Sequence, residues 1–266
     1  MPQSNNTTNA SFISNPADGS KIAYHQTPAR GEKKPTGVVF LGGFRSDMNG
    51  SKAVALESWC VAQGRQFLRF DYTGHGQSSG RFEDGTISEW ARDAVFAIEN
   101  LTKGPVVLAG SSMGGWLMML ATLKIGSRIK GLMGLAAAPD FTQDMMEREL
   151  SDAHKSEIEK NGQIEIENCY DPNDPYIITK ALIDDGRNNL LLQGSINISA
   201  PLRLIQGMKD ADVPWQTALR IQEKIISDDV EIQFIKNGDH RLSGASDLIR
   251  MTTTLDGLLK TIEGTT

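Results

Sequence analysis

The feature that most constrains this chain is an apolar run that ends abruptly in a serine between glycines, at residues 106–116. Its centre is Gly110-x-Ser112-x-Gly114, the spacing of a nucleophile elbow, in which a buried strand turns sharply into a helix. Glycine at those two positions relieves the crowding around a strained serine. The alternative is a loop that only turns the chain. Because apolar residues precede the motif and a helical pattern follows it, Ser112 is the predicted nucleophile; Ser111, without glycines on both sides, is the weaker candidate.

Apolar runs and helical patterns alternate along most of the chain. This alternation predicts an α/β protein with a mostly parallel, twisted sheet and helices on both faces. The core is assigned to residues 19–140 and 200–266, and the polar residues 1–18 are expected to form a disordered or frayed tail. The predicted strands and helices cover residues 21–25, 38–41, 66–72, 106–111, 130–137, 202–205 and 230–235, and residues 52–63, 86–101, 215–226 and 246–262, respectively.

Residues 141–199 differ from the rest in composition, with twelve Asp or Glu against five Lys or Arg. They contain short amphipathic stretches and lack the apolar runs of core strands. We interpret them as a small helical lid inserted before the last two strands, over the carboxyl edge of the sheet. Lids of this kind exclude water and shape a pocket. The alternative is an additional pair of surface helices without a role in function.

A serine hydroxyl is a weak nucleophile at neutral pH, so it requires a base and a further group that orients the base. Among the four histidines, only His240 follows the last predicted strand, and it is the predicted base. The acid is expected between serine and histidine in chain order, directly after a strand. Asp210 meets that condition, and Asp212 is the runner-up. His75 lies in the glycine-rich loop 74–80, whose spacing does not match a dinucleotide fingerprint, so we expect a structural role for it.

The negative charge that develops on an attacked carbonyl oxygen requires aimed backbone amides. One predicted donor is Met113, the residue after the nucleophile. The other is Phe44, in the loop that follows the first parallel strand. These assignments rest on position in the chain.

Composition excludes several other classes of protein. The formal net charge is −6, the pI is about 5.3 and no basic cluster occurs, so we expect no nucleic-acid partner. No apolar run is long enough to span a bilayer. Cys60 and Cys169 are isolated, which gives neither a disulfide framework nor a set of metal ligands, and we predict no cofactor and no metal.

The first residues have neither a signal peptide nor a presequence pattern, so a cytoplasmic location is expected, with the mitochondrial matrix as the alternative if a presequence has been removed.

Five motifs, of which the elbow is one, extend the pattern over most of the chain. With them the sequence resembles the α/β-hydrolase superfamily, and within it the palmitoyl-protein thioesterase and acyl-glucuronide esterase subgroup. The resemblance implies the α/β-hydrolase fold, a triad of Ser112, Asp210 and His240, and cofactor-free hydrolysis of acyl thioesters or acyl glucuronides through an acyl-enzyme. Its implied partner is a small-molecule acyl ester or an acylated thiol. The motifs are Phe70-Asp71-Tyr72-x-Gly-x-Gly, Gly110-Ser-Ser-Met-Gly-Gly-Trp-Leu-Met, Gly207-Met-Lys-Asp, Val213-Pro-Trp and Asp239-His-Arg.

Two alternatives to ester hydrolysis remain open at this level. A C–C bond hydrolase or a peptidase would use the same triad on another substrate. A non-catalytic binding protein could also be built on the same fold. A dehalogenase is disfavoured, because the elbow carries serine instead of aspartate.

Overall fold

The computed structural model describes residues 9–30, 35–167 and 175–264. Its strands are β1 (Ser11–Ser14), β2 (Lys21–Thr27), β3 (Gly37–Leu41), β4 (Phe67–Phe70), β5 (Val106–Ser111), β6 (Ile129–Leu135), β7 (Gln163–Ile166), β8 (Tyr176–Thr179), β9 (Leu202–Gly207) and β10 (Val230–Ile235). Its α-helices are α1 (Ser51–Ala62), α2 (Ile87–Leu101), α3 (Met113–Ile125), α4 (Phe141–Asp144), α5 (Asp152–Asn161), α6 (Lys180–Arg187), α7 (Gln216–Lys224) and α8 (Ala245–Glu263).

Eight strands form one sheet in the order β1-β2-β4-β3-β5-β6-β9-β10. The strands from β4 to β10 in that order pair in parallel, whereas β1 and β2 run antiparallel to their neighbours. This arrangement confirms the predicted α/β-hydrolase fold with a mostly parallel sheet. The strand that carries the glycine–serine motif, β5, lies between β3 and β6 in the middle of the sheet. Ligand sites in such sheets form at the carboxyl ends of the strands, where β5 delivers its serine.

The two faces of the sheet pack against different helices. Alternate residues of β5 enter different clusters: Leu108 joins α2, α3 and α7 on one face, and Val107 joins α1 and α8 on the other. Every residue of β3 and β5 is buried, which explains why the central strands are continuous apolar runs. Among the described residues, no helix has the length and apolar character needed to cross a bilayer.

The amino-terminal residues are more ordered than the predicted frayed tail. Residues 11–14, expected to belong to a frayed tail, form β1, which pairs antiparallel with β2 from Ser11 opposite Tyr24 to Ser14 opposite Lys21. Backbone hydrogen bonds to β2 hold this short strand in place, and side-chain composition does not reveal them. Residues 1–8 of the predicted tail lie outside the described residues, as does Cys169.

The prediction of a helical lid for the segment between β6 and β9 is only partly correct, because this segment is not purely helical. Besides α4, α5 and α6 it contains a second sheet, in which β7 and β8 pair antiparallel. A π-helical turn, Met145–Glu149, continues α4. The hairpin contributes Ile164 and Ile178 to a separate apolar cluster with residues from the helices. Strands of four residues carry too little alternation to be distinguished from loop in the sequence.

Candidate active site

Ser112 lies on the sharp turn between β5 and α3. Its φ of 54° and ψ of −121° form a backbone conformation that side-chain-bearing residues adopt at an energetic cost. The flanking glycines make this turn possible. A Cβ at Gly110 would lie 2.3 Å from the carbonyl oxygen of Gly114, and a Cβ at Gly114 would lie 2.1 Å from the carbonyl oxygen of Leu41. The geometry is that of a nucleophile elbow, and it projects the Ser112 side chain at the end of β5.

Three of the predicted residues meet at this edge of the sheet. His240 follows β10 and places Nε2 3.1 Å from Oγ of Ser112. Its other ring nitrogen, Nδ1, lies 2.9 Å from Oδ2 and 3.1 Å from Oδ1 of Asp210. The Asp210 side chain is fully buried, whereas the His240 side chain retains 18% exposure. The arrangement can pass the serine proton to the imidazole while the carboxylate holds the ring and its tautomer.

The Asp210 carboxylate has further partners around it. Oδ1 accepts hydrogen bonds from the backbone N–H groups of Asp212 at 2.9 Å and Val213 at 2.8 Å. Oδ2 accepts from Nε2 of Gln206 at 2.9 Å. Sequence reasoning missed Gln206, which lies inside a buried strand. The available signal is a lone amide side chain in an apolar run, four residues before the acid.

The runner-up acid, Asp212, lies on the opposite side of the imidazole. Its Oδ2 is 3.9 Å from Nε2 of His240, and its side chain is 37% exposed. Ligand atoms of Asp210, Asp212 and His240 all lie within 4.8 Å of one another, a grouping with the chemistry to approach a cation. The carboxylate of Asp210 is hydrogen-bonded to Nδ1 of His240, and this contact fixes the orientation of the imidazole.

The predicted oxyanion loop follows β3 and passes close to the serine. A Cβ at Gly43 would lie 3.3 Å from Cβ of Ser112, so the backbone there approaches the serine closely. The hydroxyl of Tyr72 donates to the carbonyl oxygen of Gly42 at 3.2 Å and ties the loop to the end of β4. Phe44, together with Met113, lines the same cavity as Ser112.

The ring of Phe44 is the centre of an aromatic cluster. It packs edge-on against Phe82 and Trp90 of the core, with centroids 4.8 Å and 6.0 Å away. It also packs against Phe141 and Tyr176 of the segment between β6 and β9, with centroids 5.6 Å and 5.9 Å away. The loop that carries the predicted oxyanion donor is therefore held between the core and that segment.

A cavity of about 650 Å³ opens over Ser112 and His240. One part of its wall is apolar and comes from residues 141–199. Charged side chains also line it, among them Arg148, Glu149 and Asp212. Burial raises the pKa of Glu149, and the nearby carboxylates of Asp212 and Asp144 add to that rise. The apolar lining residues are Phe141, Met145, Ile166, Tyr176 and Ile178.

His75 is buried outside the lining of the cavity and is not placed to act as a base. Its ring is 3% exposed and packs edge-on against Tyr72, Phe82 and Trp90. Nδ1 lies 3.4 Å from the carbonyl oxygen of Thr73, and Nε2 has no hydrogen-bond partner among the described residues. Burial lowers the pKa of His75 to about 4, so the ring is neutral at physiological pH.

The sequence of this chain is similar to those of known hydrolases. Residues 33–161 match the family model described as serine aminopeptidase, S33. The chain is 36% identical over 252 residues to mitochondrial palmitoyl-protein thioesterase ABHD10 of Bos taurus, covering 95% of this chain and 80% of the relative. The human protein of the same name is 34% identical over 259 residues, with 97% and 83% covered.

Solved structures agree with these relatives. A protein from Agrobacterium vitis S4, described as a hydrolase, is similar with a TM-score of 0.87 and 37% identity, covering 94% of this chain and 97% of that one. Mouse α/β-hydrolase domain-containing protein 10 is similar with a TM-score of 0.86 and 33% identity, covering 95% and 99%. The similarity in both cases spans the core and the segment between β6 and β9.

Proposed function

Because the chain belongs to the α/β-hydrolase family of the palmitoyl-protein thioesterases ABHD10, we propose that it hydrolyses acyl thioesters, S-acylated proteins among them, through an acyl-enzyme on Ser112. Membership of that family makes the protein an ester and thioester hydrolase. The substrate and the roles of individual residues are the proposed part. The observation that carries them is the 3.1 Å contact between Oγ of Ser112 and Nε2 of His240 in a cavity with an apolar wall.

In the first half of the reaction, Oγ of Ser112 attacks the carbonyl carbon of the thioester while its proton moves to Nε2 of His240. The Asp210 carboxylate, 2.9 Å from Nδ1, stabilises the imidazolium that forms. The oxyanion of the tetrahedral intermediate receives hydrogen bonds from the backbone amides of Phe44 and Met113. The carbon–sulfur bond then breaks, and the thiol leaves with the proton from His240.

In the second half, water replaces the thiol. His240 removes a proton from the water as its oxygen attacks the acyl carbon, and the same two amides hold the second oxyanion. Collapse of this intermediate releases the carboxylic acid and returns the proton to Oγ of Ser112. No group other than the triad and the two amides is required by this sequence of steps.

We assign the acyl chain to the apolar wall that residues 141–199 contribute. Phe141, Met145 and Ile178 line the cavity from that segment, and an acyl chain in contact with them buries methylene groups at about 0.8 kcal/mol each. In this proposal residues 141–199 act as a lid that shields the acyl chain from bulk water. The thiol part of the substrate then lies toward the side of the cavity with charged residues.

The decisive experiment compares Ser112→Ala with Ser111→Ala. The two serines are adjacent, so the second variant is a matched control for folding. We expect Ser112→Ala to lose turnover of an S-palmitoyl peptide and labelling by a fluorophosphonate, by about 10⁴-fold or more, and Ser111→Ala to retain both. Turnover that survives in Ser112→Ala contradicts the assignment of the nucleophile. Faster cleavage of acyl glucuronides than of matched thioesters contradicts the assignment of the substrate.

The names of the relatives provide information on where this protein acts in the cell. Those from Bos taurus and Homo sapiens are named as mitochondrial proteins, so the comparisons do not support the expected cytoplasmic location. They support the mitochondrial alternative. Fractionation of the source cells with an antibody against the chain distinguishes the two locations.

A further inference from the structure

The side chain of Gln206 reaches the catalytic carboxylate from within the sheet. Gln206 lies on β9, pairs with Phe234 on β10 and is 1% exposed. Its Nε2 donates to Oδ2 of Asp210 at 2.9 Å. A hydrogen bond from a neutral amide to a buried carboxylate is stronger than one between two neutral groups. Within the described part of the chain, Gln206 lies outside the lining of the cavity over Ser112, so it does not meet the substrate.

The Asp210 carboxylate depends on this bond for the orientation of one of its oxygens. Oδ1 is held by two backbone amides, from Asp212 and Val213. Oδ2, the oxygen nearer to Nδ1 of His240, has Gln206 as its other partner. The terminal torsion of an aspartate side chain is soft, so a carboxylate that loses one of its two partners on Oδ2 rotates more easily. The Asp210 side chain has no exposed surface, which leaves no direct path for solvent to replace the lost donor.

A purely structural role for Gln206 is the competing explanation. Nε2 also lies 3.3 Å from the carbonyl oxygen of Val213 and 3.4 Å from that of Gly207, so the amide could simply brace the loop after β9. These two contacts are longer than the contact to Asp210 and go to neutral oxygens. The charged partner is therefore the dominant one.

We propose that Gln206 is a positioning residue for the reaction, which holds Oδ2 of Asp210 against Nδ1 of His240. The proposal rests on the triad assigned under the proposed function. Gln206 acts only through Asp210, and its loss lowers kcat without changing KM, because no contact to the substrate is removed.

A double-mutant cycle separates the positioning role from the structural one. Gln206→Met keeps the length of the side chain and removes the donor. We expect it to lower kcat about 10- to 100-fold in the wild-type background, the range of one hydrogen bond to a charged group, with KM unchanged. In the Asp210→Asn background the same substitution should cost less than about two-fold, because the carboxylate it positions is already gone.

The cycle is measured on a p-nitrophenyl ester and on the rate of fluorophosphonate labelling of Ser112. An equal loss in both backgrounds overturns the proposal, because it would mean that Gln206 acts on the loop and not on Asp210. A wild-type kcat in Gln206→Met overturns it as well. The proposed substrate is tested separately by thioester turnover of the wild-type protein, so its failure is distinguishable from a failure of the cycle.

Gln206→Glu tests the contact with Asp210 by a second, pH-dependent readout. A second carboxyl group at this distance from Oδ2 of Asp210 shares one proton with it, because both cannot ionise easily. With the proton present, the pair carries one negative charge and one internal hydrogen bond, as in the wild type. The proton is lost as the pH rises, and repulsion then displaces Asp210. We expect the ratio of Gln206→Glu to wild-type kcat/KM to fall from about pH 5 to about pH 9; a ratio independent of pH contradicts the proposal.

Discussion

The guanidinium of Arg45 donates a 2.8 Å hydrogen bond to the carbonyl oxygen of Pro175, which joins the loop after β3 to the start of β8. The same guanidinium lies over the ring of Phe82, 5.3 Å from its centroid. Arg45 has a φ of 53°, in the left-handed region, and directly follows the proposed oxyanion donor Phe44. Strained backbone persists only where neighbouring contacts hold it. The segment between β6 and β9 thus supports the conformation of the oxyanion loop.

Substitutions at Arg45 separate the backbone strain from the contact to Pro175. Arg45→Gly and Arg45→Ala both remove the guanidinium, so we expect kcat to fall in both because the Phe44 amide loses support. Only alanine retains the cost of a left-handed residue, so Arg45→Gly should be more stable than Arg45→Ala by about 1 kcal/mol. Urea unfolding and steady-state kinetics measure the two effects. Equal stability of the variants, or an unchanged kcat, argues against this explanation.

The two acids beside His240 should differ greatly in their effect on turnover. Asp210→Asn leaves an amide against Nδ1 and favours the wrong tautomer, so we expect a loss in kcat of about 10⁴-fold. Asp212→Asn changes an exposed carboxylate 3.9 Å from Nε2, and we expect a loss of about ten-fold or less. Kinetics on one ester substrate compare them directly. A mild effect at Asp210 with a severe one at Asp212 would transfer the role of the acid to Asp212.

Burial of His75 should make the protein less stable in acid. The folded-state pKa of about 4 lies below the ordinary histidine pKa of 6.5, so the unfolded chain takes up this proton first as the pH falls. Stability is therefore lost between about pH 6.5 and about pH 4, by about 3 kcal/mol in total. His75→Phe fits the surrounding rings and removes this proton uptake.

The measurement is the free energy of unfolding in urea, for wild type and His75→Phe, at several pH values within that window. We expect the advantage of the variant to grow as the pH falls. His154→Gln is a matched control, because it removes a histidine that is exposed on α5 and leaves the buried imidazole in place. A constant difference for His75→Phe as well would rule out the buried imidazole as the cause.

Much of the core could be predicted from local pattern. The helix expected at residues 86–101 is α2, and Thr86 caps it by accepting a hydrogen bond from the Glu89 amide at 3.3 Å. Helical periodicity and capping act within a few residues, so they are visible in the sequence. The hairpin of β7 and β8 and the strand β1 were missed, because short strands derive their stability from partners elsewhere in the chain.

Chain order and residue type were enough to single out Ser112 and His240, because an elbow serine and a histidine after the last strand are each marked by their immediate neighbours. The contact of Asp210 with Nδ1, the support from Gln206 and the link from Arg45 to Pro175 could not be read in that way. Asp210 and Asp212 have the same side chain two positions apart, and only the packing of the loop after β9 against β10 determines which carboxylate faces which ring nitrogen. The contacts of Asp210 with His240 and of Arg45 with Pro175 join residues 30 and 130 positions apart, and their geometry exists only once the sheet has assembled.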